Sequence, residues 1–428
     1  MNIVFRPGQD GYEAEIAGFQ TSVPSKPAVV VGATSAADVV EAVRFAAAHD
    51  LAVAVQATGH GLAVAADGGL LISTRRMTGV EIDAAAGTAR VEAGVRWGAV
   101  IEAAGKHGLA PLSGSSPDVG VVGYTLSGGF GLMARRYGRA ADHVRSLDVV
   151  TADGQLRHVT PESDLFWALR GGRDNFGVVT ALEFDLMPVT TLYGGGLYFE
   201  VNAGIMRAWR DWTAGAPDEL TTSLAVIPYP DLPMVPEPLR GKHIAHIRIA
   251  YLGEDGDALV APLRTGALMD TLKTMPFTDS GSIAAEPPNP HPYHGTNATV
   301  SELNGEMIDA ILSYGADSVL ILDLLGGELA RPPALPGVGW DRSAAFTVRA
   351  LSVVGSGGTD AVRQAHQKLF DALAPWSTGR LLPFVYGESS PTEQATAIYQ
   401  PDDRERLAHL KATYDPTNMF RLTHVVSE

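Results

Sequence analysis

The first 190 residues of the chain alternate between two hydrophobic periods. Apolar residues recur every three or four positions between 39 and 47, whereas short apolar runs occupy 28–31 and 51–55. The first spacing places side chains on one face of a helix, and the second is typical of a buried strand. Ser35, a favourable N-cap residue, stands just before the helical pattern. This stretch is therefore predicted to form a strand–helix–strand unit.

The same two patterns continue as far as Pro188, which ends the last of these strands. Asp153 and Gly154 separate two short apolar runs, and this dipeptide is a strong signal for a β-hairpin. The other predicted strands are 70–72, 89–93, 147–151, 156–159 and 181–186, and the other predicted helices are 97–107 and 165–170.

Beyond residue 188, several strand patterns follow one another without an intervening helix. Such an order predicts an antiparallel sheet with helices on one face. Proline-rich patches between the patterns indicate loops. The predicted strands are 197–201, 222–227, 244–251, 319–325, 346–354 and 381–386, and the predicted helices are 205–213, 257–265, 301–312, 360–373 and 404–411.

Length and composition indicate a globular chain with more than one domain. Its 428 residues suggest roughly two or three domains, and 46% hydrophobic with 19% charged residues allow substantial cores. The net charge of −16 repels phosphate groups, so nucleic acids and anionic membranes are not expected partners. The absence of cysteine excludes disulfides, thiolate metal sites and cysteine nucleophiles. Neither a signal-peptide pattern nor an apolar run of about 20 residues is present, so a cytoplasmic location is expected.

Two glycine-rich stretches, Gln56–Gly61 and Gly114–Gly131, are the candidate functional segments. In the first, His60 stands between two glycines just after a predicted strand, where α/β folds commonly bind ligands. Glycine lets the backbone turn sharply and approach a ligand closely. The second stretch follows neither period and offers bare backbone N–H groups to phosphate oxygens or a polar ring edge. Together they predict a site for a flat, phosphate-bearing cofactor bonded to His60.

Three other patterns point to different chemistry. Residues 129–134 match the dinucleotide fingerprint G-x-G-x-x-A, but no clear strand precedes them, so a nicotinamide site is not favoured. The two H-x-x-H pairs, at 243–246 and 291–294, lie on a strand pattern and between prolines. Because a three-residue step on a strand puts side chains on opposite faces, no metal site is expected from these pairs.

The glycine-rich stretches and several further motifs together resemble the berberine-bridge-enzyme-like branch of the vanillyl-alcohol-oxidase flavoprotein superfamily. Gln56–Gly61 is similar to the family loop V-R-x-G-G-H, whose histidine is joined to the 8α-methyl group of FAD. Gly114–Gly131 is similar to the family's longer glycine-rich motif. The remaining matching segments are 136–144, 164–172, 175–180 and 414–420.

This resemblance implies an α+β fold: a PCMH-type FAD-binding domain of two α+β subdomains, plus a substrate domain with an antiparallel sheet covered by helices. The FAD domain would span 1–188, the substrate domain 189–385, and residues 386–428 would return to the FAD domain. FAD would be covalently linked through His60. The other residues implied to contact the cofactor are Gln56, Ala57, Thr58, Gly59, Gly61, Leu62, Ser116, Val119, Gly120, Gly123, Tyr124, Ser127, Gly128, Gly131, Gly177, Val178, Val179 and Asn418.

Several positions depart from the family pattern. Ser116 replaces a cysteine that forms a second flavin anchor in some members, and a hydroxyl is far less nucleophilic than a thiolate, so a single link is expected. Tyr124 stands in place of a histidine, and Thr423 and Val425 stand in place of two asparagines. Val119 occupies a position that is small in oxygen-reactive members, which favours an oxidase.

The function implied is oxidation of an alcohol, phenol, sugar or amine carbon of a small molecule, with O2 as the electron acceptor. Tyr386 is the first candidate for the catalytic base and Tyr293 the second. Tyr386 lies where the family has Y-x-N-[YF], although the register aligns Phe384 with that tyrosine. Three alternatives stay open: a flavin-dependent oxygenase of secondary metabolism, a flavin-binding protein without turnover, and a nicotinamide dehydrogenase. Neither the substrate nor the oligomeric state follows from the sequence.

Overall fold

The computed structural model describes residues 3–314, 318–387 and 398–423. Within these ranges the strands form three sheets, of four, five and nine strands. Strands up to Asp185 build the first two sheets, and strands from Thr191 onward build the third. The predicted α+β class is confirmed, while the domain bounds at residues 188 and 385 stay predictions.

The first sheet carries the loop that contains His60. Its elements are β1 (Val4–Phe5), α1 (Tyr12–Ile16), β2 (Val29–Gly32), α2 (Ala36–Ala48), β3 (Val53–Gln56) and β4 (Leu70–Ser73). The order is β1-β2-β4-β3, and β4 pairs in parallel with both β2 and β3. Helix α2 begins where Ser35 accepts a hydrogen bond from the Asp38 amide, and its apolar face packs on the sheet. The predicted strand–helix–strand unit is therefore present, but its two strands are separated by β4.

The second sheet is antiparallel and holds the longer glycine-rich stretch beside it. Its strands follow the order β5-β6-β9-β7-β8. The predicted hairpin joins β7 to β8, with Gly154 at a φ of 70°, a value that favours glycine. The elements are β5 (Val80–Asp83), β6 (Thr88–Glu92), α3 (Trp97–Gly105), α4 (Val121–Leu126), α5 (Ala134–Tyr137), β7 (Val144–Val150), β8 (Leu156–Val159), α6 (Asp164–Leu169) and β9 (Val178–Asp185).

The third sheet is antiparallel, as the strand patterns after residue 188 predict. Its order is β13-β10-β12-β11-β16-β17-β15-β18, with β14 pairing to β10. Its strands are β10 (Thr191–Glu200), β11 (Leu220–Pro228), β12 (His243–Tyr251), β13 (Met269–Asp270), β14 (Lys273–Pro276), β15 (Tyr293–Val300), β16 (Ser318–Leu324), β17 (Phe346–Val353) and β18 (Ser377–Gly379). Its helices are α7 (Ala203–Thr213), α8 (Gly256–Val260), α9 (Gly305–Tyr314) and α10 (Gly358–Leu373).

The two faces of this sheet have opposite character. Leu224, Ile247, Leu322 and Val348 pack with residues of α7, α9 and α10 in a buried apolar core. The residues that alternate with them point the other way and line a large cavity. The helices thus cover one face, and the other face is free to carry polar chemistry.

The last described segment returns to the first half of the chain. Helix α11 (Pro401–Tyr414) carries Lys411 in its last turn. The buried Nζ of Lys411 donates to the carbonyls of Asn175 and Phe420 and pairs with Asp415 at 2.7 Å. Met419 packs in the core of the first sheet, and its carbonyl accepts the amide of Val53. None of the helices in the described ranges is both long and apolar enough to cross a membrane.

One sequence prediction about secondary structure is wrong. Residues 381–386 are not a strand, because Leu382–Phe384 form a 3-10 turn around Pro383, which has no amide to donate; only Tyr386 pairs, with Gly295. The glycine-rich stretch includes a short helix, α4, that its lack of period did not indicate. The other 3-10 turns are Ala140–His143, Ala261–Leu263, Phe277–Ser282, Gly327–Ala330 and Ala374–Trp376.

A buried histidine pair lies between the third sheet and α10. The Nδ1 atoms of His294 and His366 are 3.2 Å apart, and His366 Nε2 lies 2.8 Å from the hydroxyl of Ser352. Burial lowers the pKa of His294 to about 4 and the pKa of His366 to about 3. Both rings are therefore neutral in the folded protein at neutral pH.

We expect this pair to destabilise the fold in mild acid. Because an unfolded histidine has a pKa of about 6.5, the unfolded chain binds more protons than the folded one below that pH. Stability is fully present above about pH 6.5 and falls as the pH drops toward the folded values, by up to about 2 kcal/mol per ring at pH 5. Urea unfolding at pH 7 and pH 5 measures the loss.

The matched variants are His366→Gln, which keeps a polar partner for Ser352 but does not titrate, and His409→Gln, an exposed position on α11. The first should reduce the loss of stability between the two pH values, and the second should leave it unchanged. An equal loss in all three proteins would contradict the assignment.

Candidate active site

The first glycine-rich loop is held by the chain that precedes it. Gly59 has a φ of 72°, and a Cβ there would lie 2.6 Å from the Cα of Gly18. The amide of Phe19 donates to the carbonyl of Thr58 at 2.9 Å. The Gln56 side chain donates to the carbonyls of residues 16 and 17. The glutamine that replaces the family arginine thus ties the loop to the N-terminal segment.

His60 is partly buried and is held by ring stacking and hydrogen bonds. Its ring stacks on Phe19 with centroids 4.0 Å apart, and its Nδ1 lies 2.9 Å from the hydroxyl of Thr58. Its carbonyl accepts the Tyr293 hydroxyl at 2.7 Å. Its Nε2 is buried without a hydrogen-bond partner among the described residues. Burial, with help from the charge of Arg96, lowers the pKa of His60 to about 4, so the ring is neutral and has an unsatisfied nitrogen.

The second glycine-rich stretch wraps around Tyr124, which projects from α4. A Cβ at Gly129 would lie 2.6 Å from this ring, and Cβ atoms at Gly114 and Gly131 would also press on it. Trp97 meets the ring edge-on at 5.4 Å. The Tyr124 hydroxyl is buried without a partner in the described ranges, and burial raises its pKa. Part of the glycine content therefore makes room for a tyrosine where the family has a histidine.

The two loops meet at Thr58 and Gly120. A Cβ on Gly120 would lie 3.4 Å from the Thr58 hydroxyl. The hydroxyl of Ser116 accepts the amide of Asp118 at 3.3 Å, and Ser127 donates to the carbonyl of Gly123 at 2.8 Å. These two bonds lie within the second loop and fix its own conformation where it meets the first.

A cavity of about 980 Å³ opens between these loops and the polar face of the third sheet. Binding pockets for small molecules span roughly 300–1,000 Å³, so this cavity is large enough for a cofactor-sized ligand. Apart from the loops, most of its wall comes from β11, β12, β16, β17 and the segments 283–287 and 382–386, and Tyr293 of β15 and Arg135 also line it.

A row of polar side chains crosses four neighbouring strands on the cavity face. The register pairs Arg248 with Ser223, Ser223 with Asp323, and Asp323 with Thr347. The Asp323 carboxylate accepts the Thr347 hydroxyl at 2.6 Å, and it pairs with Arg349 through contacts of 2.8 and 3.1 Å. Asp323 is therefore fully engaged by its neighbours.

The two candidate tyrosines lie together at one end of the cavity. Their rings meet edge-to-face with centroids 5.3 Å apart. The Tyr386 ring lies over Gly295, where any Cβ would overlap it. Burial raises the pKa of Tyr386 to about 12, and the positive charge of Arg349 opposes that rise. Burial also raises the pKa of Tyr293, whose hydroxyl is committed to the His60 carbonyl.

The structure brings most of the predicted site residues into one cavity. The predicted residues that line it are Gln56, Ala57, Thr58, Gly59, His60, Gly61, Leu62, Ser116, Val119, Gly120, Gly123, Tyr124, Ser127, Gly131, Tyr293 and Tyr386. Five others lie outside the lining: Gly128, Gly177, Val178, Val179 and Asn418.

These five positions have other structural surroundings. Gly177 has a φ of 154° and no room for a Cβ beside the Val150 carbonyl, and Val178 and Val179 are buried at the start of β9. Asn418 has a φ of 51° in the turn after α11, where its amide bonds to Asp415. Thr423, at one departure from the family pattern, donates to Asp174 at 2.7 Å; Val425, at the other, lies outside the described residues.

Sequence reasoning missed the charged residues of the sheet. Arg248, Asp323 and Arg349 each stand alone in a strongly apolar strand pattern. A charge in such a run is rarely buried without a partner or a role, so this contrast could have marked them. Phe19, which stacks on His60, carries no comparable signal, because its contact depends on the path of the N-terminal segment.

Comparison with known proteins identifies two family models in the chain. Residues 27–160 match the FAD binding domain model, and residues 389–427 match the model described as berberine and berberine like. The (R)-6-hydroxynicotine oxidase of Paenarthrobacter nicotinovorans is 27% identical over 441 residues, covering 98% of this chain and 95% of the relative. The chitooligosaccharide oxidase of Gibberella zeae is 26% identical, covering 97% and 90% respectively.

The same relationship is visible in three dimensions. The crystal structure of 6-hydroxy-D-nicotine oxidase from Arthrobacter nicotinovorans superposes with a TM-score of 0.86 at 25% identity, covering 99% of this chain and 97% of that one.

Proposed function

Because the chain belongs to the berberine-bridge-like family of FAD-linked oxidoreductases, we propose that it is an oxidase with FAD bound covalently through His60. Its substrate is a small molecule that loses a hydride and a proton from an alcohol, phenol, sugar or amine group. The observation that carries the proposal is the neutral, partly buried His60 ring, whose buried Nε2 has no partner among the described residues, at the wall of a cofactor-sized cavity.

The residues present fit the cofactor. Two glycine-rich loops bring backbone against one side of the cavity, as close approach to a flat ring and its phosphates requires. A neutral imidazole can form a bond to carbon, whereas Ser116 lacks a thiolate that could form a second one. His60 is thus the tether that the described residues offer.

The chemistry that FAD supplies when bound is acceptance of a hydride from the substrate and transfer of its two electrons to O2, giving hydrogen peroxide with the released protons. The chain supplies the base. Tyr386 faces the cavity, and no other residue described in the structure holds its hydroxyl in a hydrogen bond. The Arg349 guanidinium, 4.2 Å above the Phe384 ring, stabilises the phenolate that forms when Tyr386 gives up its proton.

Other residues position the reaction and exclude water. The hydroxyl of Tyr293 holds the His60 carbonyl, and Arg173 donates to the next carbonyl, at Gly61, at 3.4 Å. The third sheet closes the cavity on the side opposite the loops. Tyr293 therefore joins the substrate side of the cavity to the loop that holds His60.

The oxidase is tested by its product. Incubated in air with a panel of alcohols, sugars and amines, the protein should form one hydrogen peroxide for each substrate oxidised. Label from isotopic dioxygen in the organic product would favour an oxygenase instead. A flavin that no member of the panel reduces would favour a binding protein, and a colourless protein would favour nicotinamide chemistry.

The tether is tested by intact mass. The wild-type protein should exceed its polypeptide mass by about the mass of one FAD and keep its colour after acid precipitation, because the bond survives unfolding. His60→Ala should have the bare mass, while Ser116→Ala should keep the adduct. A wild-type protein of bare polypeptide mass contradicts covalent attachment.

Tyr386→Phe tests the base. Loss of a positioned base costs about 10²–10⁴-fold in rate, so flavin reduction in anaerobic stopped flow should slow by at least 100-fold. Tyr293→Phe, the matched control, removes only the bond to the His60 carbonyl and should slow reduction less than tenfold. An unchanged rate in Tyr386→Phe removes this residue from the mechanism.

A further inference from the structure

Arg248 is a buried guanidinium in the cavity wall for which the described part of the chain provides no carboxylate. It is 9% exposed and lies on β12, on the face that lines the cavity. Its contacts are long: Nε is 3.4 Å from Nδ1 of His246, and one terminal nitrogen is 3.5 Å from the carbonyl of Ala284. None of the described carboxylates lies within 4.0 Å of it, in contrast to Arg349 on the same face.

The nearby acids are committed to other partners. Asp323 pairs with Arg349 and accepts a hydrogen bond from Thr347. It lies on β16, and β11 stands between β16 and β12, so Asp323 and Arg248 are on strands about 10 Å apart. Glu286 is exposed and accepts the Ser115 hydroxyl at 2.6 Å. Burial lowers the pKa of His246 to about 2, so that ring is neutral and supplies no countercharge. The positive charge of Arg248 is therefore not balanced by direct contact.

Another arginine in the wall shows what a purely structural arginine looks like here. Arg135 also lines the cavity and is buried, but its three nitrogens donate to the carbonyls of Leu220, Leu325, Ala216 and Pro217. Arg248 has no such set of acceptors. A buried charge that lacks both a counter-ion and full hydrogen bonding is costly, so a ligand group is expected to complete its surroundings.

We infer that Arg248 binds a carboxylate of the substrate, at the end of the cavity remote from Tyr386. The guanidinium fork matches the two oxygens of a carboxylate, and Ser223 presents a hydroxyl beside it. Arg248 lies on β12, whereas Tyr386 pairs with Gly295 on β15. These two strands are four places apart in the sheet. The carboxylate is thus separated from the carbon that is oxidised.

The cavity face also has an apolar part, on the side of Tyr386. Ile227, Val319 and Leu351 line the cavity from the same face of the sheet, and Val319 and Leu351 share a row with Gly295, beneath the Tyr386 ring. Ile227 is four residues along β11 from Ser223, about 13 Å in extended chain. The substrate class is therefore an elongated molecule with an apolar middle, a carboxylate at one end and an oxidisable group at the other. This inference rests on the proposed oxidase but is tested without turnover.

The probes are 4-(hydroxymethyl)benzoate, 4-(hydroxymethyl)cinnamate and 4′-(hydroxymethyl)biphenyl-4-carboxylate, each compared with its primary amide. Isothermal titration calorimetry on the holoenzyme, kept anaerobic with its flavin reduced in advance, measures affinity because the probe cannot then be oxidised. At least one acid should bind at least tenfold more tightly than its amide. Acids that bind no better than amides, or no binding by either, overturn the inference.

Variants assign the preference to Arg248. Arg248→Met should abolish the difference between acid and amide, Arg248→Lys should keep part of it, and Arg207→Met, an exposed position on α7, should leave it intact. A preference that survives in Arg248→Met overturns the assignment. So does loss of the flavin adduct or a changed flavin spectrum in that variant, because Arg248 would then be a cofactor contact. Failure of the oxidase proposal would appear in the peroxide assay alone.

Discussion

The site depends on a close approach of backbone to backbone that side chains would prevent. The His60 loop lies against Gly18 on one side and against Gly120 on the other, with Thr58 between them. Gly59 adopts a positive φ so that its carbonyl and that of Thr58 can both bond to the N-terminal segment. This packing buries Nε2 of the imidazole without a hydrogen-bond partner among the described residues. A buried polar atom without a partner is costly unless a ligand satisfies it, so the loop geometry and the proposed tether share one physical basis.

Successive side chains of the third sheet point to opposite faces, so one face stabilises the fold and the other carries the polar groups of the cavity. One face buries Leu224, Ile247, Leu322 and Val348 under helices, and this apolar contact stabilises the sheet. The other face can therefore hold charges whose burial costs free energy. Asp323 and Arg349 compensate each other, whereas Arg248 is left for a ligand. The same strands thus provide both the rigid support and the polar groups of the cavity.

The sequence predicted the local structure well wherever the signal was local. The hairpin at Gly154 follows from one dipeptide, and the antiparallel sheet follows from successive strand patterns. The position of β4 between β2 and β3 could not be predicted, because strand order depends on contacts between residues distant in the chain. The loop residues of the cavity came from motifs, but Phe19, Arg248, Asp323 and Arg349 meet them only through tertiary folding.

The sequence pattern alone did not identify the conformation of residues 381–386 or 121–126. Pro383 turns the first segment because it has no amide to donate, and the second segment is a helix of only six residues. Tyr386 needs Gly295 beneath its ring, and Tyr124 needs Gly114, Gly129 and Gly131 around it. Gly295 is distant from Tyr386 along the chain, whereas the three glycines around Tyr124 belong to the same glycine-rich stretch as that tyrosine.

Hydrogen bonding separates the roles of the two candidate tyrosines, Tyr293 and Tyr386. The hydroxyl of Tyr293 is already a donor to the His60 carbonyl, so removing its proton would break a bond that positions the loop. The hydroxyl of Tyr386 donates no such hydrogen bond to a described residue. The positive charge of Arg349 offsets part of the free-energy cost of ionising Tyr386. The geometry therefore favours proton transfer to Tyr386, with Tyr293 holding the loop of His60 in place.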